Sequence, residues 1–257
     1  MGQVDETNPE PAELLSRCFD ILDAFCRGPA EKLTLADITR RTSLPKSTAH
    51  RLLASLVSLG ALERTGPAYQ LGLRMFEIGE HVTRKRDLRE AALPFMEDLY
   101  EVTHQTVHLA VLDGTEVLYI ERIQGHQKQR QLASRVGGRL PAYSTGVGKA
   151  LLAFNPQTAA QIIKTGRLQA RTPYTITNPK LLLEELAATR KTLLAFDRDE
   201  NALGIHCVAT PILANNQAVA AISVTGPANT IQEERIGSAI RTAALGIERT
   251  LGTNPPT

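Results

Sequence analysis

The chain has 257 residues, 42% of them hydrophobic, with 29 Lys and Arg against 27 Asp and Glu. That length suits two domains, and no apolar run approaches the roughly 20 residues of a membrane span. The net charge of +2 gives no bulk attraction to nucleic acid, so any such partner must be read from local charge.

Residues 1–11 are acidic and carry prolines. They lack the basic start and apolar stretch of a signal peptide, and disorder is expected there. The three cysteines, Cys18, Cys26 and Cys207, cannot all pair. Their spacing suggests neither a bridge nor a metal knuckle, so a reducing, cytoplasmic setting is expected.

Residues 12–74 read as a winged helix-turn-helix. Leu14-Leu15, Phe19, Ile21-Leu22 and Phe25 predict a first helix, ended by Gly28-Pro29, that packs against two others. A second short helix turns Leu35, Ala36 and Ile38 inward, and the turn runs through Thr42-Ser43-Leu44. The third helix starts at Pro45, whose fixed φ suits a first turn. In it Ala49, Leu52, Leu53 and Leu56 form one apolar stripe at helical spacing. The opposite face carries Lys46, Ser47, His50 and Arg51, with Thr48 at its edge. Small hydroxyls and cations suit phosphates, and Arg51 has the reach for a guanine edge in a major groove.

Local charge supports that reading. Residues 38–74 hold six basic side chains, Arg40 among them, against one acid, whereas residues 1–37 hold eight acids and three bases. Positive charge is concentrated where phosphate contact needs it. Leu59-Gly60 ends the third helix. Residues 61–64 and 68–71 are short strand-like runs around Thr65-Gly66-Pro67, which predicts a wing with Arg64 placed to touch the backbone or minor groove.

Residues 75–90 read as a linker helix, with Met75, Phe76, Ile78 and Val82 at helical steps and Arg84-Lys85-Arg86 as a charged, solvated face. Residues 88–102 predict a long amphipathic helix with Pro94 early in it. The second domain, residues 91–252, is expected to be α+β. Strands over 106–112 and 116–120 flank Asp113-Gly114, a hairpin signal. A third strand is expected over 130–136 and a loop over 137–141. Helices are expected from Gly148, from Pro156 and over 180–191. Strands over 207–213 and 218–225 surround Asn215-Asn216. Thr230 and Glu233 have the spacing of a capping box opening a last helix to about Leu251. Paired strands with helices before and after favour an antiparallel sheet over a dinucleotide-binding βαβ fold.

Taken together, several runs resemble the isocitrate-lyase-regulator (IclR) family of bacterial transcription factors. They are Leu44-Pro45-Lys46-Ser47-Thr48-Ala49-His50-Arg51-Leu52-Leu53, Leu109-Ala110-Val111-Leu112-Asp113-Gly114, Thr145 with Gly148-Lys149-Ala150-Leu151-Leu152-Ala153, Asp197 through Glu200, Cys207-Val208-Ala209, and Ile222-Ser223-Val224 with Gly226-Pro227. The resemblance covers residues 14–252 and implies an N-terminal winged helix, a helical linker and a GAF-like effector domain. It implies dimers, or dimers of dimers, on palindromic double-stranded operators, answering to small carboxylates. Carried over by position, the effector site would use the backbone of Gly146 and Val147 and the side chains of Asp197, Ile205, Cys207, Ser223 and Thr225. Helix-start amides near residues 146–149 suit an acid, and Ser223 and Thr225, two apart on a strand, share a face. The chain departs from the family where Ala142-Tyr143-Ser144 replaces Leu-His-Ala and Leu193-Leu194 replaces Gly-Tyr. Tyr143 brings an aromatic surface and a hydroxyl, which suits a bulkier or aromatic acid.

Enzymatic readings lack their minimum parts, and no cofactor or metal is expected. Gly146-Val147-Gly148-Lys149 resembles a phosphate loop, but Tyr143 stands where its first glycine belongs and Ala150 where its Ser or Thr belongs. His104 and His108 have zinc-protease spacing, but Gln105 replaces the glutamate and the segment reads as strand, not helix. His81, His126 and His206 are isolated, and no nucleophile elbow is present. The expected function is a DNA-binding regulator, preferentially a repressor, controlled by a small organic or aromatic acid. The alternative is a ligand-binding or scaffold protein that uses its winged helix for protein contacts.

Overall fold

The computed structural model describes residues 11–26, 28, 30–125, 134–166 and 168–253. The chain divides into two compact units, residues 1–83 and 84–257. In the first, α1 (Pro11–Cys26) packs on α2 (Leu35–Thr42) and α3 (Lys46–Ser58), and β1 (Leu33–Thr34), β2 (Leu62–Thr65) and β3 (Ala68–Leu71) form a small antiparallel sheet in the order β1-β3-β2. Its core is Ile21, Ala24, Phe25, Leu33, Ile38, Leu52, Leu53, Leu56, Leu62 and Tyr69.

Local chemistry explains the helix-turn-helix. Thr34 and Asp37 form a full capping box at the start of α2, with the Asp37 amide donating to Thr34 Oγ1 at 3.2 Å and the Thr34 amide donating back to Asp37 Oδ2 at 3.1 Å. Ser43 takes a left-handed conformation (φ 57°) and its amide donates to the Thr39 carbonyl at 2.9 Å, closing the helix. Pro45 precedes α3 as its cap and is not its first residue. Arg41 is committed to the scaffold, donating from Nη1 to the Ala24 carbonyl of α1 at 2.8 Å.

Three expectations for this unit need correction. Ala36 is exposed. On α1, Ile21 and Phe25 are buried but Leu14, Leu15 and Phe19 are exposed, because the 3.6-residue period turns them away from α2 and α3. The linker helix expected over residues 75–90 is interrupted at His81 and Val82: α4 (Leu73–Glu80) precedes the break, and the rest joins the helix expected over 88–102 in one longer helix, α5 (Thr83–Thr103).

In the second unit, β4 (Thr106–Asp113), β5 (Glu116–Ile123), β6 (Arg139–Pro141), β7 (Ala195–Arg198), β8 (Ile205–Ala214) and β9 (Gln217–Pro227) form an antiparallel sheet in the order β6-β5-β4-β9-β8-β7. One face packs on α5 and α9 (Glu233–Thr253) through Val107, Leu109, Val208, Ile222, Val224, Ile240 and Ile247. The other packs on α6 (Gly146–Leu152), α7 (Pro156–Lys164) and α8 (Pro179–Thr192) through Ala110, Tyr119, Val147, Leu151, Leu182, Leu186, Cys207 and Ala209. Alternate residues of β4, β8 and β9 therefore serve opposite layers, as a sheet covered on both faces requires.

The expected third strand over 130–136 is corrected. Residues 130–133 lie outside the described residues, 134–136 are not strand, and the strand falls at Arg139–Pro141, within the stretch read as loop. Thr230 does not cap the last helix. Its hydroxyl donates to the Pro227 carbonyl at 2.8 Å within a 3-10 turn, and α9 starts at Glu233. His104 also leaves the zinc-pair register, ending α5 with φ 52° while His108 sits inside β4.

Candidate nucleic-acid interface and effector cavity

On α3 the buried stripe is Ala49, Leu52, Leu53 and Leu56. Lys46, Ser47, His50 and Arg51 are exposed on the other side and Thr48 is half-buried. Arg40, on the last turn of α2, is exposed and ion-paired with Asp37 at 2.5 Å. Arg64 is exposed on the wing, its Nε donating to the Gly66 carbonyl at 3.2 Å. The outward face of α3 thus presents cations and hydroxyls, the groups that contact phosphates and base edges.

In the second unit a cavity of about 20 Å³ opens between the sheet and α6. That space holds roughly one water molecule. Gly146, Val147, Asp197, Ile205, Cys207 and Thr225, all expected at the site, line it. Ser223 stands behind the wall, its hydroxyl 3.4 Å from His108 Nδ1. Tyr143 departs from expectation. It is buried in the core of the α6–α8 layer, its hydroxyl donates to the Gln169 carbonyl at 2.8 Å, and it is not among the lining residues.

Close backbone packing shapes the α6 wall. A Cβ on Gly148 would stand 2.1 Å from the Ala142 carbonyl oxygen, and one on Gly146 would stand 2.8 Å from Cys207 Sγ. Only glycine lets the first turn of α6 lie this close to the preceding 3-10 turn and to β8. Thr145 caps the helix, accepting from the Gly148 amide at 3.1 Å.

Asp197 does two things. It lines the cavity, and its Oδ1 accepts from the amides of Glu200 (2.8 Å) and Asn201 (3.2 Å), folding residues 197–201 into a tight loop. Burial, and next the Glu200 charge, push its carboxyl up to about 7. Glu200 is held in turn by Lys149 of α6, whose Nζ lies 2.5 Å from Glu200 Oε1 and 3.4 Å from Glu185 Oε1. Lys149 is completely buried and belongs to this ion pair. The apparent phosphate loop is therefore a cross-link between two walls of the cavity. Cys207 is held protonated, its thiol pushed up to about 12 chiefly by burial.

The sequence reading passed over His108, Tyr119, Ser134, Leu140, Thr145 and Asn201, which also line the cavity. His108 is buried on β4, with Nε2 2.8 Å from Ser134 Oγ and Nδ1 3.4 Å from both Ser223 Oγ and Thr225 Oγ1. Burial, and next the Arg122 charge, push the imidazole down to about 3, so it is neutral. The available signal was alternation. Thr106, His108 and Ala110 share one strand face, and a histidine between two small residues there is a polar group aimed into a covered layer.

The two units define a class: a winged helix-turn-helix carrying an outward cationic helix, followed by a sheet domain with a polar internal cavity. Residues 14–66 match the family model described as the IclR helix-turn-helix domain, and residues 80–249 match the bacterial transcriptional regulator IclR C-terminal model. The chain belongs to the IclR family of transcriptional regulators, with a helix-turn-helix and an effector-binding C-terminal domain. It is 33% identical over 246 residues to the HTH-type transcriptional regulator XynR of Escherichia coli, covering 93% of this chain and 96% of that one. It is 32% identical over 210 residues to the transcriptional repressor IclR of the same organism, covering 79% and 76% of the two chains. The crystal structure of an IclR homologue complexed with 4-hydroxybenzoate, from Microbacterium hydrocarbonoxydans, matches with a TM-score of 0.86 at 32% identity, covering 94% of this chain and 100% of that one. Among the described residues no helix is long and apolar enough to cross a membrane.

Proposed function

We propose that this chain is a cytoplasmic repressor, not an enzyme, that binds a palindromic operator as a homodimer or dimer of dimers and answers to a small organic or aromatic carboxylate from a catabolic pathway. The reading unit is residues 12–74, the linker 75–90 and the sensory unit 91–252. Lys46, Ser47, Thr48, His50 and Arg51 enter the major groove, Arg40 meets phosphate, and Arg64 meets the backbone or minor groove. The observation that carries this is the polarity of α3: Ala49, Leu52, Leu53 and Leu56 buried, Lys46, Ser47, His50 and Arg51 outward. Self-association is supported by apolar side chains left outward on the reading unit, Leu15 and Phe19 on α1 and Leu73 and Phe76 on α4.

The effector occupies the cavity bounded by Gly146, Val147, Asp197, Ile205, Cys207 and Thr225, with Ser223 supporting His108. The repressor named IclR and the homologue that holds 4-hydroxybenzoate support repression and an acidic ligand. A cavity of about 20 Å³ must widen to admit any such acid, so the described state is the closed one and ligand selects an open one. Opening alters how paired reading units are spaced on successive groove faces, and effector and operator affinities are then reciprocally coupled. A salt-dependent gel shift of the full chain on fragments upstream of its neighbouring genes tests the assignment. Binding that weakens steeply with salt is expected. Absence of any shift at low salt would return the winged helix to a protein-contact role.

A further inference from the structure

Among the described residues, the cavity lining contains no lysine or arginine. Its histidine is neutral, its carboxyl belongs to Asp197, and nearby Lys149 is committed to Glu200 and Glu185. An acid entering this space needs a countercharge from just behind the wall.

Arg122 stands there. In the pairing of β4 with β5, His108 lies opposite Arg122 and Ala110 opposite Tyr119, with a bulge between. Directly paired residues of antiparallel strands point to the same face. Without the bulge, Arg122 and Tyr119, three apart, would point oppositely. The extra residue brings both to the cavity side and leaves Glu121 on the other, where it pairs with Arg89 of α5. The Arg122 Nη1 donates to the Ser134 carbonyl at 2.7 Å, and Ser134 Oγ is the group beside His108 in the wall. Among the described residues, the Arg122 Nε is buried without a hydrogen-bond partner, as is Nη2 of Arg135, the residue after Ser134. A buried N–H without an acceptor is costly and rare in a folded protein, and a guanidinium N–H suits a carboxylate oxygen.

We infer that Arg122 is the charge-selecting residue of the cavity: its spare Nε–H receives the carboxylate of the effector when Ser134 gives way. This rests on the assignment of the cavity as the effector site. It makes anionic acids ligands and their uncharged amides poor ones.

The test is calorimetry of the full-length protein with benzoate, 4-hydroxybenzoate, glyoxylate and pyruvate against benzamide and 4-hydroxybenzamide, on the wild type, Arg122→Gln and Arg122→Lys. One charged hydrogen bond corresponds to roughly 10- to 100-fold in affinity. The wild type should prefer an acid over its amide by that factor. Arg122→Gln should erase the preference while leaving amide affinity within about threefold, and Arg122→Lys should keep part of it. Retained amide binding shows that the variant cavity is intact. An unchanged acid-to-amide ratio in Arg122→Gln overturns the inference and leaves the effector site standing. Failure of every probe to bind the wild type overturns both.

Discussion

The buried ion pair between Lys149 and Glu200 offers the sharpest test of how the cavity is built. Replacing Lys149 with Met keeps its bulk in the fully buried slot and removes the charge 2.5 Å from Glu200 Oε1. Deleting one partner of a buried pair typically costs about 3–5 kcal/mol. Here the loss is bounded, because Glu200 can take up a proton. Burial already raises its carboxyl above the usual 4.5, with Lys149 as the leading opposing influence. Holding it protonated at pH 7 costs about 3.4 kcal/mol relative to that ordinary value, at 1.36 kcal/mol per pH unit. At pH 5 the same cost falls below about 1 kcal/mol. In Lys149→Met the folded-state value of Glu200 lies further above its unfolded value. Stability is therefore fully present below pH 4.5 and lost as pH rises toward the raised value. Scanning calorimetry at pH 5 and 7.5 measures this directly. The sheet domain's transition should drop by several degrees at pH 7.5 and by little at pH 5, and Lys149→Met with Glu200→Gln should recover most of the loss. A deficit that is the same at both pH values would refute the assignment of Lys149 as the partner that opposes the upward shift of the Glu200 carboxyl.

Arg51→Ala should cost about 1–3 kcal/mol of operator binding and relax base preference, whereas Arg40→Ala should weaken all sequences alike and reduce the salt slope by about 1. Footprints of both variants identical to wild type would discard the proposed docking. Gly146→Ala, whose Cβ would lie 2.8 Å from Cys207 Sγ, should block effector binding. Adding Cys207→Ala should restore it, as read by calorimetry. Asp197, raised to about 7, gives stability that is complete below pH 3.8 and lost as pH rises through 7. Asp197→Asn, which keeps an acceptor for the Glu200 and Asn201 amides, should flatten thermal stability against pH between 4 and 7. An unflattened curve would place the titration elsewhere.

The reading unit was legible because its signals are local. Pro45, the apolar stripe from Ala49 to Leu56, and the turn at Ser43 each act within a few residues, and a helical period read along the chain translates directly into which face is buried. The same logic failed on α1, where the apolar positions exceed what two short helices can cover. Leu15 and Phe19 are apolar and exposed, and no pattern within one chain distinguishes a residue buried by its own fold from one left outward.

The cavity residues were reached by position through the family resemblance, and strand alternation by itself supported only the pairing of Ser223 with Thr225 on one face. Ser223 and Thr225 fall on the expected face because β9 is regular through residues 221–225 where it pairs with β4. Arg122 was invisible for the opposite reason. Read as a plain strand, β5 would put it with Leu118 and Ile120 on the α5–α9 side, and a single bulge at Leu109/Ala110 reverses that. A bulge is a property of the pair, set by how β4 and β5 must curve together, and it leaves no mark in either strand's sequence. Tyr143 failed through competition. An aromatic side chain next to the site could have faced ligand, but the Gln169 carbonyl takes its hydroxyl and the core takes its ring. Lys149 gave a misleading signal, since a lysine after Gly-Val-Gly reads as a phosphate ligand until its partner Glu200, 51 residues on, is seen beside it. The polar groups that matter most to the cavity are those whose partners are distant in sequence, and long-range pairing is what periodicity alone does not encode.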